Sequence, residues 1–311
     1  MNCIICYIFT MIDSKLKSTN LNGVITALIT PFDQHSKVSL TKYDELIALG
    51  WRGGVSGIVA LGTTGESPVL SSDEWLAIAK QAVASSPTGK PVIIGVGTNN
   101  TATTIKNSHL AGEVGADGVL IVTPYYNKPT QSGLERHFLM VADESPLPVI
   151  LYEIPGRSGV GISLELTLKL AIHPNIIGIK EAGGNLWRSS EIARQAPDDF
   201  VVLSGDDNLT LSLLAIGAVG VISVISNILP VPFVKMVDAM LCDELNQARD
   251  WHRLVSPLLS ALSAETNPSP IKEALNIAGL NMGQVRPPLA PVSESTRESI
   301  TNALNDLNKF I

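Results

Sequence analysis

Eight short runs of apolar and β-branched residues, each bounded by Gly, Pro or Asp, recur along the chain: Gly23–Thr30, Gly54–Leu61, Pro91–Gly97, Asp117–Thr123, Pro148–Ile154, Ile176–Lys180, Phe200–Ser204 and Val219–Ile225. They are nearly continuous rather than alternating in apolar character, which is how strands covered on both faces of a parallel sheet read. Between them lie segments with helical spacing. In the clearest, Ser71 to Ala84, Ser71 and Glu74 form a capping box while Trp75, Ile78, Ala79 and Ala82 share one stripe. Leu134, Phe138 and Val141 repeat the pattern after the fourth run. Strand and helix alternating eight times predicts an α/β fold of the (β/α)8 TIM-barrel type, usually about 250 residues long. A doubly wound open sheet is the alternative.

With 311 residues the chain has room for that barrel and a further segment. After about Asp243 the strand signals stop, and helical stretches follow at Glu244–Ala264, Pro270–Gly279 and Ser295–Phe310. The breakers Asn267-Pro268-Ser269-Pro270 and Arg286-Pro287-Pro288 separate them. The expected organisation is an N-terminal extension over 1–22, disordered; a catalytic barrel over 23–243; and a C-terminal helical region over 244–311, read as a small appendage.

Hydrophobic residues at 45% and charged ones at 16% demand a large buried core. A net charge of −7 argues against binding a nucleic-acid backbone, a task that concentrates basic residues. Cys3, Cys6 and Cys242 cannot form a disulfide framework and suit a reducing cytoplasm. The Cys3–Cys6 pair has no second pair or histidine nearby to complete a metal site. Asn208 to Val234 is uncharged and long enough to cross a bilayer, but Gly217, Gly220, Pro230 and Pro232 punctuate it, so a buried helix and strand are expected instead.

A (β/α)8 barrel carries its active site at the C-terminal ends of its strands. Those ends hold Gly62-Thr63-Thr64-Gly65-Glu66, Thr123-Pro124-Tyr125-Tyr126-Asn127, Tyr152, Lys180-Glu181 and Gly205-Asp206-Asp207. Lys180 closes a run that should be buried, and burial disfavours an ammonium and favours the neutral amine that attacks carbonyls. A snorkelling or ion-paired lysine would read the same way. Tyr125, Tyr126 and Tyr152 are either proton-shuttling phenols or packing around the barrel mouth. Thr63-Thr64-Gly65 offers hydroxyls and N–H groups to a carboxylate, although such a tripeptide by itself is more often a turn. GxGxxG, P-loop, HExxH and GxSxG motifs are absent.

Taken together these pieces, with Leu151-Tyr152-Glu153-Ile154-Pro155-Gly156-Arg157-Ser158-Gly159, Ile176–Ala182 and Gly220–Val224, resemble the dihydrodipicolinate synthase and N-acetylneuraminate lyase family of class I aldolases from about Gly23 to the C-terminus. The resemblance implies that Lys180 forms a Schiff base with pyruvate. It also implies that Tyr152 shuttles protons, and that Thr63 links Tyr152 to Tyr126 in a relay. It assigns the pyruvate carboxylate to the region of Thr63 and Thr64, and the pocket lining near the imine to Gly205 and Ile222. It implies a homotetramer in which Tyr126 reaches a neighbouring site, and neither a metal nor an organic cofactor.

Arg157 points, within that family, to condensation of pyruvate with L-aspartate-4-semialdehyde in lysine biosynthesis. A guanidinium binds a second carboxylate through a bidentate fork, whereas sugar-acid and neuraminate aldolases usually lack it. Those aldolases and a pyruvate-binding sensor are the alternatives. Glu153 departs from the family pattern, since many of the synthases have Asn there.

Overall fold

The computed structural model describes residues 16–307 and 310. The strands are β1 Gly23–Ala27, β2 Gly57–Ala60, β3 Val92–Gly95, β4 Gly118–Val122, β5 Val149–Glu153, β6 Ile176–Glu181, β7 Val201–Ser204 and β8 Gly220–Ser223. They pair in sequence order, all parallel, and β8 closes on β1. That is the predicted barrel; an open sheet would leave β1 and β8 unpaired.

The closing seam aligns Gly23 with Gly220 and continues to Thr26 opposite Ser223. Only glycine fits at Gly220, because a Cβ there would lie 2.4 Å from the Gly23 carbonyl oxygen. Asn227 fastens the seam above. Buried at 1% exposure, it accepts from the Ile29 N–H at 3.2 Å and donates to the Ala27 carbonyl at 2.8 Å.

The helices are α1 Leu40–Arg52, α2 Ser72–Ala84, α3 Thr101–Glu113, α4 Gln131–Glu144, α5 Pro155–Ser158, α6 Leu164–Leu170, α7 Leu186–Gln195, α8 Thr210–Ala215, α9 Pro230–Leu241, α10 Leu245–Leu262, α11 Ser269–Ile277 and α12 Glu294–Asn305. The expected capping box forms: Ser71 accepts from the Glu74 N–H and Glu74 from the Ser71 N–H. Period-two alternation divides the strand side chains between two cores. Ile25, Val59, Ile93, Leu120, Ile150 and Leu203 fill the barrel interior. Val24, Ile58, Ile94, Val119, Leu151 and Val202 face outward into the layer that holds Ile78, Phe138 and Phe233 of the helices. Burial on both faces is why the runs read as unbroken apolar stretches.

Leu203 is fully buried in the inner core. Leu203→Ala is expected to destabilise the protein by about 3 kcal/mol, the middle of the range for a leucine cavity. Urea unfolding would register this as a lower midpoint with an unchanged slope. A loss below about 1 kcal/mol would mean that the interior collapses around the gap.

One expectation needs correction. The extension over 1–22 is not disordered throughout: a 3₁₀ turn spans Ser18–Asn20, and Leu16 (6% exposed) and Leu21 (0%) belong to the inner core. They are buried against the end of the barrel opposite the strand C-termini, and two leucines five positions apart carry no periodicity that a sequence scan could detect. Residues 1–15, with Cys3 and Cys6, lie outside the described residues. The C-terminal region forms the expected helices, α10, α11 and α12, after the barrel. Leu258, Leu259, Leu262 and Ile271 join the same core as the barrel helices. The uncharged segment Asn208–Val234 resolves into α8, β8 and the start of α9, and among the described residues no helix is long and apolar enough to cross a membrane.

Candidate active site

On β5 and β6, alternation turns Tyr152 and Lys180 into the barrel and Glu153 and Glu181 out of it, and the register places each pair side by side. Lys180 is 5% exposed, and its Nζ lies 4.2 Å from the centre of the Tyr152 ring. A cation this close to an aromatic face is attracted by the ring quadrupole. Gly205 passes directly alongside: a Cβ there would meet Lys180 Cγ and Ala182 Cβ, each at 2.9 Å. Any larger residue would displace the lysine stem.

The chain leaving β2 makes a tight turn in which the Gly65 N–H donates to Gly62 O and the Glu66 N–H to Thr63 O, both at 3.1 Å. Thr30 Oγ1 donates to Gly65 O at 2.6 Å and fastens the turn to the end of β1. Thr64 is buried, and its Oγ1 accepts from Asn267 Nδ2 at 3.0 Å. Arg157, on the short α5, is exposed at the mouth, where its Nη2 donates to the Asn267 carbonyl at 3.0 Å.

These groups surround a cavity of about 260 Å³ at the C-terminal end of the barrel. Of the eight residues selected from sequence, Lys180, Tyr152, Thr63, Thr64, Arg157 and Gly205 line it together. Ile222 lies deeper, 1% exposed, in the interior layer that also holds Tyr152 and Leu203. Tyr126 is 88% exposed, outside the cavity, on a backbone with φ 71°. The sequence reading missed Asn267, Leu259, Leu262 and Ile271, which line the far wall from the C-terminal region. The breaker Asn267-Pro268-Ser269-Pro270 was the one signal available, and it reads only as a linker.

On the outer face, Glu181 pairs with the guanidinium of Arg188 on α7, and Glu153 lies near enough to be drawn by its charge. Arg188 forms an ion pair with Glu181, and its Nη2 donates to Ile162 O and Thr167 Oγ1, both at 2.7 Å. Glu153 Oε2 accepts from the Ile162 N–H at 2.9 Å. Burial pushes both carboxyls above the usual carboxylate range, against the pull of Arg188. Glu153, the departure from the family pattern, thereby holds the chain that follows Arg157. Among the described residues no group of three His, Cys, Asp or Glu is placed to bind a metal ion.

A buried lysine against a tyrosine, threonine hydroxyls and a guanidinium thus meet in one cavity at the C-terminal end of a closed parallel barrel, where the enzymes of this architecture carry their active sites. The chain belongs to the dihydrodipicolinate synthetase family, whose model matches residues 20–307. It is 44% identical over 286 residues to the 4-hydroxy-tetrahydrodipicolinate synthase of Methanococcoides burtonii, covering 92% of this chain and 98% of that one. The enzyme of the same name from Bacillus subtilis is 41% identical over 289 residues, covering 93% and 100%. Among solved structures, the dihydrodipicolinate synthase of Thermotoga maritima is similar with a TM-score of 0.90 and 39% identity, over 93% of this chain and 99% of that one.

Proposed function

We propose that this chain is a lyase joining pyruvate to L-aspartate-4-semialdehyde, giving 4-hydroxy-tetrahydrodipicolinate in lysine and diaminopimelate biosynthesis in the cytoplasm. The observation that carries the reading is Lys180, buried beside Tyr152 in a cavity that Thr64 and Arg157 also line. The names of the relatives agree with it.

In this reading the Lys180 amine attacks C2 of pyruvate, and loss of water leaves a protonated imine. The imine withdraws electrons from C3, which gives up a proton to form an enamine. Enamine C3 attacks the aldehyde carbon. The amine of the semialdehyde then adds to C2 and displaces Lys180, closing the ring. Tyr152 and Thr63, both on the cavity wall, carry protons for these steps with Tyr126. The Thr63–Thr64 turn holds the pyruvate carboxylate; Arg157 takes the carboxylate of the semialdehyde; Gly205 and Ile222 shape the floor. No metal or organic cofactor enters any step.

The deciding experiment sets condensation of pyruvate with the semialdehyde beside cleavage of N-acetylneuraminate and 2-keto-3-deoxy sugar acids. Turnover of the sugar acids alone would assign the chain to the other branch of the family. Pyruvate binding without turnover of either would make it a sensor.

Self-association as a homotetramer, a dimer of dimers, belongs to the same reading. An aromatic held outward at 88% exposure, on a left-handed backbone that costs energy for any residue but glycine, is suited to burial against a second copy. If Tyr126 serves a neighbouring site, mixed oligomers of Tyr126→Phe and Lys180→Ala chains are expected to regain activity that neither has alone. Properly mixed oligomers that stay inactive would return Tyr126 to its own subunit.

A further inference from the structure

The left-handed residue in the turn that carries Thr63 and Thr64 is Glu66, with φ 54° and ψ 33°. Such a conformation persists in a non-glycine residue only where the surroundings enforce it. Both carboxylate oxygens of Glu66, which is 3% exposed, are held from the C-terminal region. Oε1 is 2.5 Å from Nζ of Lys272 on α11, and Oε2 accepts from the Arg286 N–H at 2.9 Å. Lys272 is 1% exposed; its Nζ lies 3.9 Å from the centre of the Phe32 ring and donates to Gln284 O at 3.3 Å. The Arg286 guanidinium also lies against the Phe32 ring, 4.2 Å from its centre, and is tied to Glu74 on α2 at 2.6 and 2.8 Å. Five residues before Lys272, Asn267 donates to Thr64 Oγ1 at 3.0 Å.

We propose that Lys272 and Asn267 are positioning residues for the Thr63–Glu66 turn, so that the C-terminal region sets the orientation of the hydroxyls that take the substrate carboxylate. A hydroxyl has one proton to give and two lone pairs to accept with. With Asn267 filling one lone pair, the Thr64 proton is free to donate into the cavity. With Lys272 neutralising Glu66, the turn keeps its left-handed residue. Released from either tether, the Glu66 end of the turn relaxes and the Thr64 hydroxyl rotates. The buried pair is therefore a mould for the anion site, although neither of its members lines the cavity.

The proposal rests on the reading of Thr64 as the partner of the pyruvate carboxylate, and the test separates the two. Removing both charges at once avoids a stranded buried ion, and neutral replacements of buried pairs are commonly tolerated. The double variant Glu66→Gln with Lys272→Met is expected to melt within a few degrees of the parent, with a pyruvate KM raised at least about tenfold and kcat within about threefold. Asn267→Ala, at a half-buried position, is expected to raise the pyruvate KM about threefold. A folded double variant with unchanged KM overturns the proposal. If the double variant does not fold, Asn267→Ala decides in its place, and an unchanged KM there has the same force. Thr64→Val is the control: if it leaves the pyruvate KM unmoved, the carboxylate reading itself fails and takes the proposal with it.

Discussion

Lys180→Ala is expected to lower condensation by about four orders of magnitude or more, the scale on which loss of a covalent nucleophile registers in other enzymes. Lys180 is the buried amine facing the Tyr152 ring across the strand pair, and an alanine there leaves no group to carry pyruvate as an imine. The backbone should tolerate the change, because β6 keeps its pairing to β5 and β7 through main-chain bonds. Borohydride supplies an independent readout. Reduction with pyruvate present is expected to inactivate the parent irreversibly and leave the adduct on Lys180 alone. An adduct on Lys272, or on any other lysine, would contradict the mechanism. So would activity in the alanine variant above about one part in a thousand.

Arg157→Ala should separate the two halves of the reaction. Arg157 is exposed and donates to the Asn267 carbonyl, so its removal leaves the fold and the Lys180 environment intact. Pyruvate trapping is expected to be unchanged. The specificity constant for the semialdehyde is expected to fall about a hundredfold, equivalent to about 2.7 kcal/mol at 1.36 kcal/mol per tenfold. Charge-assisted bidentate bonds to a carboxylate are of that strength. Arg157→Lys should fall between, because an ammonium keeps the charge and loses the fork. Equal losses in trapping and condensation would show that Arg157 serves the pyruvate side, and the assignment of the second carboxylate would fail.

Much of this arrangement was legible in the sequence because barrel strands advertise themselves. Ile58, Ile93 and Leu151 sit in strands buried on both faces, and such strands leave nearly uninterrupted apolar runs. Strand ends then locate a barrel site, which is why Lys180, Tyr152, Thr63, Thr64 and Gly205 stand out in the sequence and meet in one cavity, whereas Arg157, which joins them there, is marked only by the family resemblance. What sequence hid depends on closure in three dimensions. Asn267 lies 203 positions from its partner Thr64, and Lys272 is 206 from Glu66. No local pattern marks either. Leu16 and Leu21 are a subtler case: they close one end of the barrel by position alone, without the repeat that defines a helix or strand.

The glycine seam bears on how the polypeptide comes off the ribosome. Gly23 cannot meet Gly220 until nearly two hundred further residues exist. At about 5–20 residues per second, the first strand waits roughly 10–40 s for its partner. Through that interval one edge of the growing sheet stands open, and an open apolar edge is a template for pairing with a neighbouring nascent chain. Asn227, whose amide ties β8 back to the end of β1, emerges only seven residues after the closing glycine. Closure is therefore a late and abrupt event in the life of the molecule, and slowing of translation near residue 220 would lengthen the time spent aggregation-prone.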